Sequence, residues 1–146
     1  MFKLVSPDGM IKVQTNMNEI AVQTNSRTDF IDITDAVQRF AQEKQLQNGV
    51  ITIFVPHTTA GVTINENADP DVTGDLEMVL DRIVPWTDGY AHAEGNTAAH
   101  LKASMMGSST QVLVENGRLC LGTWQSLYFC EFDGPRSRRV WFKEST

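Results

Sequence analysis

The sequence predicts an α+β fold: a single compact domain with a mostly antiparallel β-sheet or sandwich core and about three helices. Short runs rich in β-branched and aromatic residues recur at strand length from residue 10 to the C-terminus. Three separate stretches carry helical start and stop signals, two of them with apolar residues at helical spacing. The 146 residues contain no repeat, low-complexity region or linker, so residues 1–146 are read as one domain with a core of its own.

In chain order, Ile11/Val13 and Ile20/Val22 alternate as two short strands, read as a hairpin across Gln14–Glu19. Thr34 or Asp35 then caps a first helix, with Gln38 in a capping-box position. Its core face is Ile33, Val37, Phe40 and Ala41, and Asn48-Gly49 ends it. Val50 to Val55 is a β-branched run suited to a central buried strand. A polar turn follows at His57, and Val62 to Ile64 forms a second strand that ends in Asn65, Glu66, Asn67 and Asp69.

Asp69 or Asp71 caps the second helix, Pro70 fits its first turn, and Leu76, Val79, Leu80 and Ile83 make its apolar stripe. Pro85 stops it, and Thr87-Asp88-Gly89 turns the loop beyond. Asn96 caps a third helix from about Thr97 to Met106, closed by Gly107. The rest is β. Asn116-Gly117 joins Gln111–Val114 to Arg118–Leu121 as a hairpin, Leu127–Phe132 follows, and Asp133-Gly134-Pro135 turns into Arg138–Lys143.

Composition excludes two function classes. A formal net charge of −6 is the wrong sign for a general nucleic-acid binder. No apolar run approaches the roughly 20 residues of a membrane-spanning helix, and a cytoplasmic location is expected. The one basic cluster, Arg136, Arg138, Arg139 and Lys143, reads first as solvated charge on a strand and second as a local anion site. Cys120 and Cys130 lack metal-site spacing and read as buried reduced thiols.

The chemistry-bearing residues cluster. All three histidines, His57, His92 and His100, fall in polar loops or at a helix start. Three histidines, or two with a carboxylate, can hold a metal with an open position, although the spacing matches no zinc-protease motif. Acid–base chemistry or hydrogen bonding is the other reading. Glu66 and Asp69 suit Mg²⁺ against a phosphorylated substrate, or else belong with Asp71 and Asp75 to a helix start. Asn96 is either a plain cap or one wall of an anion site at a helix N-terminus, with Lys102 and Ser104 extending it. Thr123 and Gln125 would share one side of a strand, unless Gly122–Gln125 is only a bulge around a core tryptophan.

Four ordered motifs carry a family resemblance. They are His57-Thr-Thr-Ala-Gly-Val-Thr-Ile-Asn-Glu-Asn-Ala-Asp-Pro-Asp71, His92-Ala-Glu-Gly-Asn96 with His100-Leu-Lys-Ala-Ser104, Gly117-Arg-Leu-Cys-Leu-Gly-Thr-Trp-Gln125, and Cys130-Glu-Phe-Asp-Gly-Pro-Arg136. The chain closely resembles the YjbQ-like, or UPF0047, family from about residue 10 to its end. That resemblance implies a compact α+β domain, a homotrimer and a weak, secondary thiamine-phosphate synthase activity. The reaction joins a pyrimidine diphosphate to a thiazole phosphate and releases pyrophosphate, which Mg²⁺ and cationic or N–H donors would stabilise.

Carried over by motif, the expected metal ligands for zinc or magnesium are His57, His92 and His100, which could equally form an acid–base set. The expected catalytic residues are His57, Glu66, Glu94 and Lys102. Asn65, Asp69, Asn96, Ser104, Thr123 and Gln125 are expected to bind a small phosphorylated substrate. Two other functions fit the same residues: a non-catalytic protein binding a metal or phosphometabolite, and a metal-dependent hydrolase. Neither nucleic acid nor membrane is an expected partner.

Overall fold

The computed structural model describes residues 2–5, 11–14 and 18–146, the first two segments by their backbone alone. In chain order the elements are β1 (Phe2–Val5), β2 (Ile11–Gln14), β3 (Asn18–Gln23), β4 (Asp29–Asp32), α1 (Thr34–Glu43), β5 (Gly49–Phe54), β6 (Ala60–Glu66), α2 (Pro70–Ile83), α3 (Thr97–Met106), β7 (Ser109–Glu115), β8 (Arg118–Cys120), β9 (Gln125–Glu131) and β10 (Ser137–Ser145). Five strands form one antiparallel sheet in the order β3-β10-β5-β7-β8, and three form a second in the order β4-β9-β6. The expected α+β class, antiparallel sheets and three helices are all present among the described residues.

The core lies between the two sheets. Ile51 and Ile53 of β5, Val112 and Val114 of β7 and Val140 and Phe142 of β10 meet Val62 of β6 and Leu127 and Phe129 of β9. Val37, Phe40 and Ala41 of α1 join the same core, and burying such side chains contributes roughly 1.5–3 kcal/mol each for the large ones. On the opposite face of β9, Tyr128 and Cys130 pack with Phe132, just past the strand, against Ala99 and Ala103 of α3 and Leu80 of α2. β9 is therefore covered on both sides, and every residue from Ser126 to Glu131 is buried.

Several expectations change. Ile11–Gln14 pairs with β1, not with β3; β3 instead joins β10 at the far end of the chain, Val22 opposite Arg138. α1 ends six residues before Gly49. Its Gln38 does not close a capping box but reaches the β7–β8 turn, donating to the Gly117 carbonyl and accepting from Leu119 N. Gly49 serves packing instead, since a Cβ there would stand 2.3 Å from the Ser145 carbonyl oxygen. Of the predicted α2 stripe only Leu80 is buried, while Val79 is 43% and Ile83 57% exposed, so α2 rests on the body along a narrow line. Trp124 is exposed rather than a core residue, and Cys120 is exposed, whereas burial pushes the Cys130 thiol up to about 12. The Asn116-Gly117 hairpin turn stands as expected, both residues at positive φ.

Candidate functional site

β5 and β6 are not a hairpin. The stretch between them carries the chain from the five-stranded sheet to the three-stranded one, and His57 sits in that crossing. The β5–β10 ladder ends at Phe54 opposite Trp141. Two residues further along that register Arg139 would face Pro56, which has no N–H to give. The pairing stops, and the Arg139 backbone N–H donates instead to Nε2 of His57 at 2.9 Å. Val55 N still donates to the Ser108 carbonyl at 2.7 Å, one step further along the β5–β7 register, so the chain leaves the sheet only after Val55.

Beneath this turn lies a buried charge network. Leu127, Phe129 and Glu131 share the inward face of β9, as Arg138, Val140 and Phe142 share that of β10. Arg138 Nε donates to Glu131 Oε1 at 2.8 Å and Nη2 to Oε2 at 2.5 Å; Nη2 also donates to the Thr59 hydroxyl at 2.7 Å. Thr24 Oγ1 and the Phe132 and Asp133 amides donate to the same carboxylate at 2.9, 3.1 and 3.1 Å. Burial alone would raise the Glu131 pKa, but the hydrogen bonds from Arg138, Asp133 and Thr24 outweigh it and hold it below the usual carboxylate value. Thr59 and His57 are thus anchored by consecutive residues of one strand, Arg138 and Arg139. Burial, then the Arg138 charge, lowers the His57 pKa below its ordinary 6.5.

The other wall comes from α3 and the loop before it. Asn96 is buried at the helix start, and its Nδ2 donates to Asp133 Oδ2 at 2.9 Å, an oxygen that also accepts from Arg136 Nη2 at 3.1 Å. It makes no side-chain cap, and its Oδ1, like the neighbouring Thr97 hydroxyl, is buried without a partner. His92 and His100 meet edge to face with ring centres 5.4 Å apart. A cleft of about 400 Å³ is lined by Pro56, His57, Thr58, Thr59, His92, Glu94, Asn96, His100, Arg136 and Arg138. Ser104 lines an adjoining hollow that shares His57, Thr58 and His100, and its hydroxyl donates to the His100 carbonyl.

Of the expected site residues, His57, His92, Glu94, Asn96 and His100 therefore converge, with Ser104 beside them. The others lie elsewhere. Lys102 is buried against α2, where it pairs with Asp81, and lines neither hollow. Asn65, Glu66, Asp69, Thr123 and Gln125 gather at the opposite end of β6, roughly 20 Å away at strand rise. There Asn65 Oδ1 accepts from Glu66 N, Asp69 Oδ1 caps α2 by accepting from Asp71 N, and Gln125 Oε1 accepts from Gly122 N. Gly122–Trp124 is a turn, so Thr123 and Gln125 do not share a strand face.

Among the described residues no three His, Cys, Asp or Glu side chains are disposed to hold a metal ion. The donor set present does not fit a preformed three-histidine centre, since one nitrogen of His57 already takes a backbone N–H. Arg138 overturns its reading as solvated charge, being 4% exposed and doubly bonded to a fully buried carboxylate. Thr59, Glu131 and Asp133 were not singled out from the sequence. The available signal was parity, because Glu131 and Arg138 fall in step with the inward apolar residues of their strands.

The family profile described as UPF0047 protein YjbQ-like matches residues 18–145. The chain belongs to this family. YjbQ-like relatives include YugU of Bacillus subtilis, 52% identical over 128 residues that span 87% of this chain and 97% of that protein. YjbQ of Escherichia coli O157:H7 is 32% identical over 115 residues, 77% of this chain and 83% of the relative. The fold matches the crystal structure of an uncharacterized conserved YjbQ/UPF0047 protein from Clostridium acetobutylicum at a TM-score of 0.86 and 53% identity, over 87% of this chain and 98% of that one. A YbjQ-like protein of unknown function from Sulfolobus solfataricus superposes at 0.83 with 30% identity, covering 88% and 94%.

Proposed function

We propose that this YjbQ-like chain is an enzyme, a thiamine-phosphate synthase-like transferase whose cleft at His57, His92 and His100 receives a small phosphorylated substrate. The observation that carries this reading is the cleft's unfinished polar wall. Asn96 Oδ1 and Thr97 Oγ1 are buried without partners beside three imidazoles and Arg136. Buried polar atoms are normally satisfied; the Thr97 hydroxyl can donate to a ligand oxyanion, whereas Asn96 Oδ1 accepts and calls for an N–H or O–H of the ligand. The α3 start and Arg136 favour an oxyanion. His92 and His100 supply imidazoles as candidate general acid and base, and Glu94 adds a carboxylate at the rim.

Zinc or magnesium belongs to the family expectation, but the residues here do not form its ligand set, and the anion-binding and proton-transfer roles stand without it. Assembly as a homotrimer and a cytoplasmic location complete the reading. The exposed apolar side chains of α2 and α3, Met78, Val79, Ile83, Leu101 and Met105, support assembly, and no helix among the described residues is long and apolar enough to cross a membrane.

The test is thiamine-phosphate formation from the pyrimidine diphosphate and thiazole phosphate, followed by pyrophosphate release. His100→Ala should lower the rate by about 100-fold or more, the usual scale for a proton-transfer group, and His57→Ala by a similar factor, the scale of losing one donor to a developing oxyanion. Full activity in both variants would sink the site. Because the orphan atoms are a binding feature first, a rise in melting temperature with pyrophosphate but no turnover would support the non-catalytic binding reading instead.

A further inference from the structure

We infer that His57 works as a fixed hydrogen-bond donor through Nδ1–H, its tautomer held by the Arg139 backbone amide, rather than as a metal ligand or a proton acceptor. This rests on the anion-binding reading of the cleft and assigns one residue within it. A neutral imidazole carries its proton on one nitrogen and accepts with the other. Nε2 accepts the Arg139 N–H at 2.9 Å, so the proton of the neutral ring sits on Nδ1. A metal ligand needs a free lone pair, as does a general base. On His57 one lone pair is engaged and the other nitrogen is protonated.

The surroundings keep it so. The β5–β10 ladder ends at Phe54 opposite Trp141, and the Arg139 N–H beyond it takes the His57 ring nitrogen as its acceptor in place of a strand carbonyl. One residue earlier, Arg138 grips Thr59, which fixes the far side of the same turn. The charged groups acting on the ring are Arg138, Glu131 and Arg136, and Arg138 acts more strongly than the carboxylate it pairs with. A net positive surrounding disfavours both the imidazolium and a bound cation, and it favours an oxyanion in front of an N–H donor. His57 lines both hollows, so a donor on this ring serves whatever anion occupies them.

The three histidines of the full chain can be resolved by ¹⁵N-histidine NMR, with His57 assigned by through-bond correlation. The expected result at neutral pH is a proton on Nδ1 of His57, an Nδ1 signal that shifts on adding pyrophosphate, and no shift of His57 on adding Zn²⁺. A proton on Nε2, or a Zn²⁺-induced shift of His57, overturns the assignment. Variants give a second readout. Asparagine can place an N–H near the Nδ1 position and glutamine near Nε2. His57→Asn should therefore bind pyrophosphate within about threefold of the parent, and His57→Gln and His57→Ala about tenfold more weakly, the scale of one charge-assisted hydrogen bond. Equal loss in the Asn and Gln variants, with melting temperatures unchanged, also overturns it. If pyrophosphate moves none of the three histidines, the anion reading of the cleft fails, and the tautomer and Zn²⁺ results alone decide the role of His57.

Discussion

At the Ala60 end of β6, His57 and Thr59 are held from beneath by β10, and the cleft above them keeps polar atoms without partners. At the Glu66 end, Asn67 bridges Asp32 and Tyr128, Asp69 caps α2, and Asn65 bonds the next amide along the chain. Both ends come from one thirteen-residue stretch that reads as a single polar motif. The difference is in what the polar atoms are already doing. At one end buried side chains position a turn and leave its neighbours able to meet a ligand; at the other, capping and cross-strand bonds occupy them. Density of polar residues along the chain marks both regions equally, and only the hydrogen-bond partners separate them.

The largest expected effect comes from breaking the support under the first end. Glu131→Gln removes the charge that compensates Arg138 in a site where the two are 0% and 4% exposed. Leaving a buried cation unpaired costs about 3–5 kcal/mol, which urea denaturation would read as a shifted midpoint with the slope unchanged. A cost below about 1 kcal/mol would mean that water reaches the pair and that the turn is held mainly by its backbone.

Next in size is the contrast between the two ends in activity. The cleft variants His57→Ala and His100→Ala are expected to lose about 100-fold, whereas Asn65→Ala and Gln125→Ala at the far end should stay within about threefold. Parallel losses at both ends would mean that the far end takes part in the reaction, for example by facing the cleft of a second copy.

The same contrast measures how far the sequence could be read. Strands β5 to β10, the three helices and the Asn116-Gly117 turn follow from local pattern, because each is set by alternation, helical spacing or turn chemistry within a dozen residues. The pairing of β3 with β10 joins residues more than 100 positions apart, and no local signal encodes it. The site divides in the same way. Its histidines and Asn96 were visible as residue types, but Lys102 was expected at the anion site and Arg138 as solvated charge, and burial places each against a carboxylate instead. Parity along β9 and β10 held the missing information, since a charge in step with Phe129 or Phe142 must point inward.

A smaller effect separates the ends by pH. The His57 pKa is lowered in the folded chain by burial and by Arg138, so protons bind the unfolded chain more readily. The resulting stabilisation is fully present above the ordinary imidazole value of 6.5 and is lost as pH falls from there through the lowered folded value. Melting temperature followed from pH 7.5 to 5 should therefore drop more steeply in the parent than in His57→Asn. Identical slopes would remove His57 from the acid response. Glu131, also lowered, adds its own loss only below its ordinary 4.5.

The smallest effect tests whether the far end is only structural. Asp69 Oδ1 accepts from Asp71 N at 2.9 Å and starts α2, with Pro70 directly behind it. Asp69→Ala should cost about 1 kcal/mol, the ordinary worth of an N-cap, measured by urea denaturation. α2 touches the rest of the chain narrowly, yet its Asp81 pairs with Lys102 on α3, the helix that also carries His100. If capping acts locally, the variant keeps thiamine-phosphate formation and pyrophosphate binding within about twofold of the parent, because α3 is held independently against β6 and β9. A loss approaching that of His100→Ala would show instead that α2 sets the position of α3 through the Asp81–Lys102 pair. The two ends of β6 would then be coupled through a helix pair rather than along the strand they share.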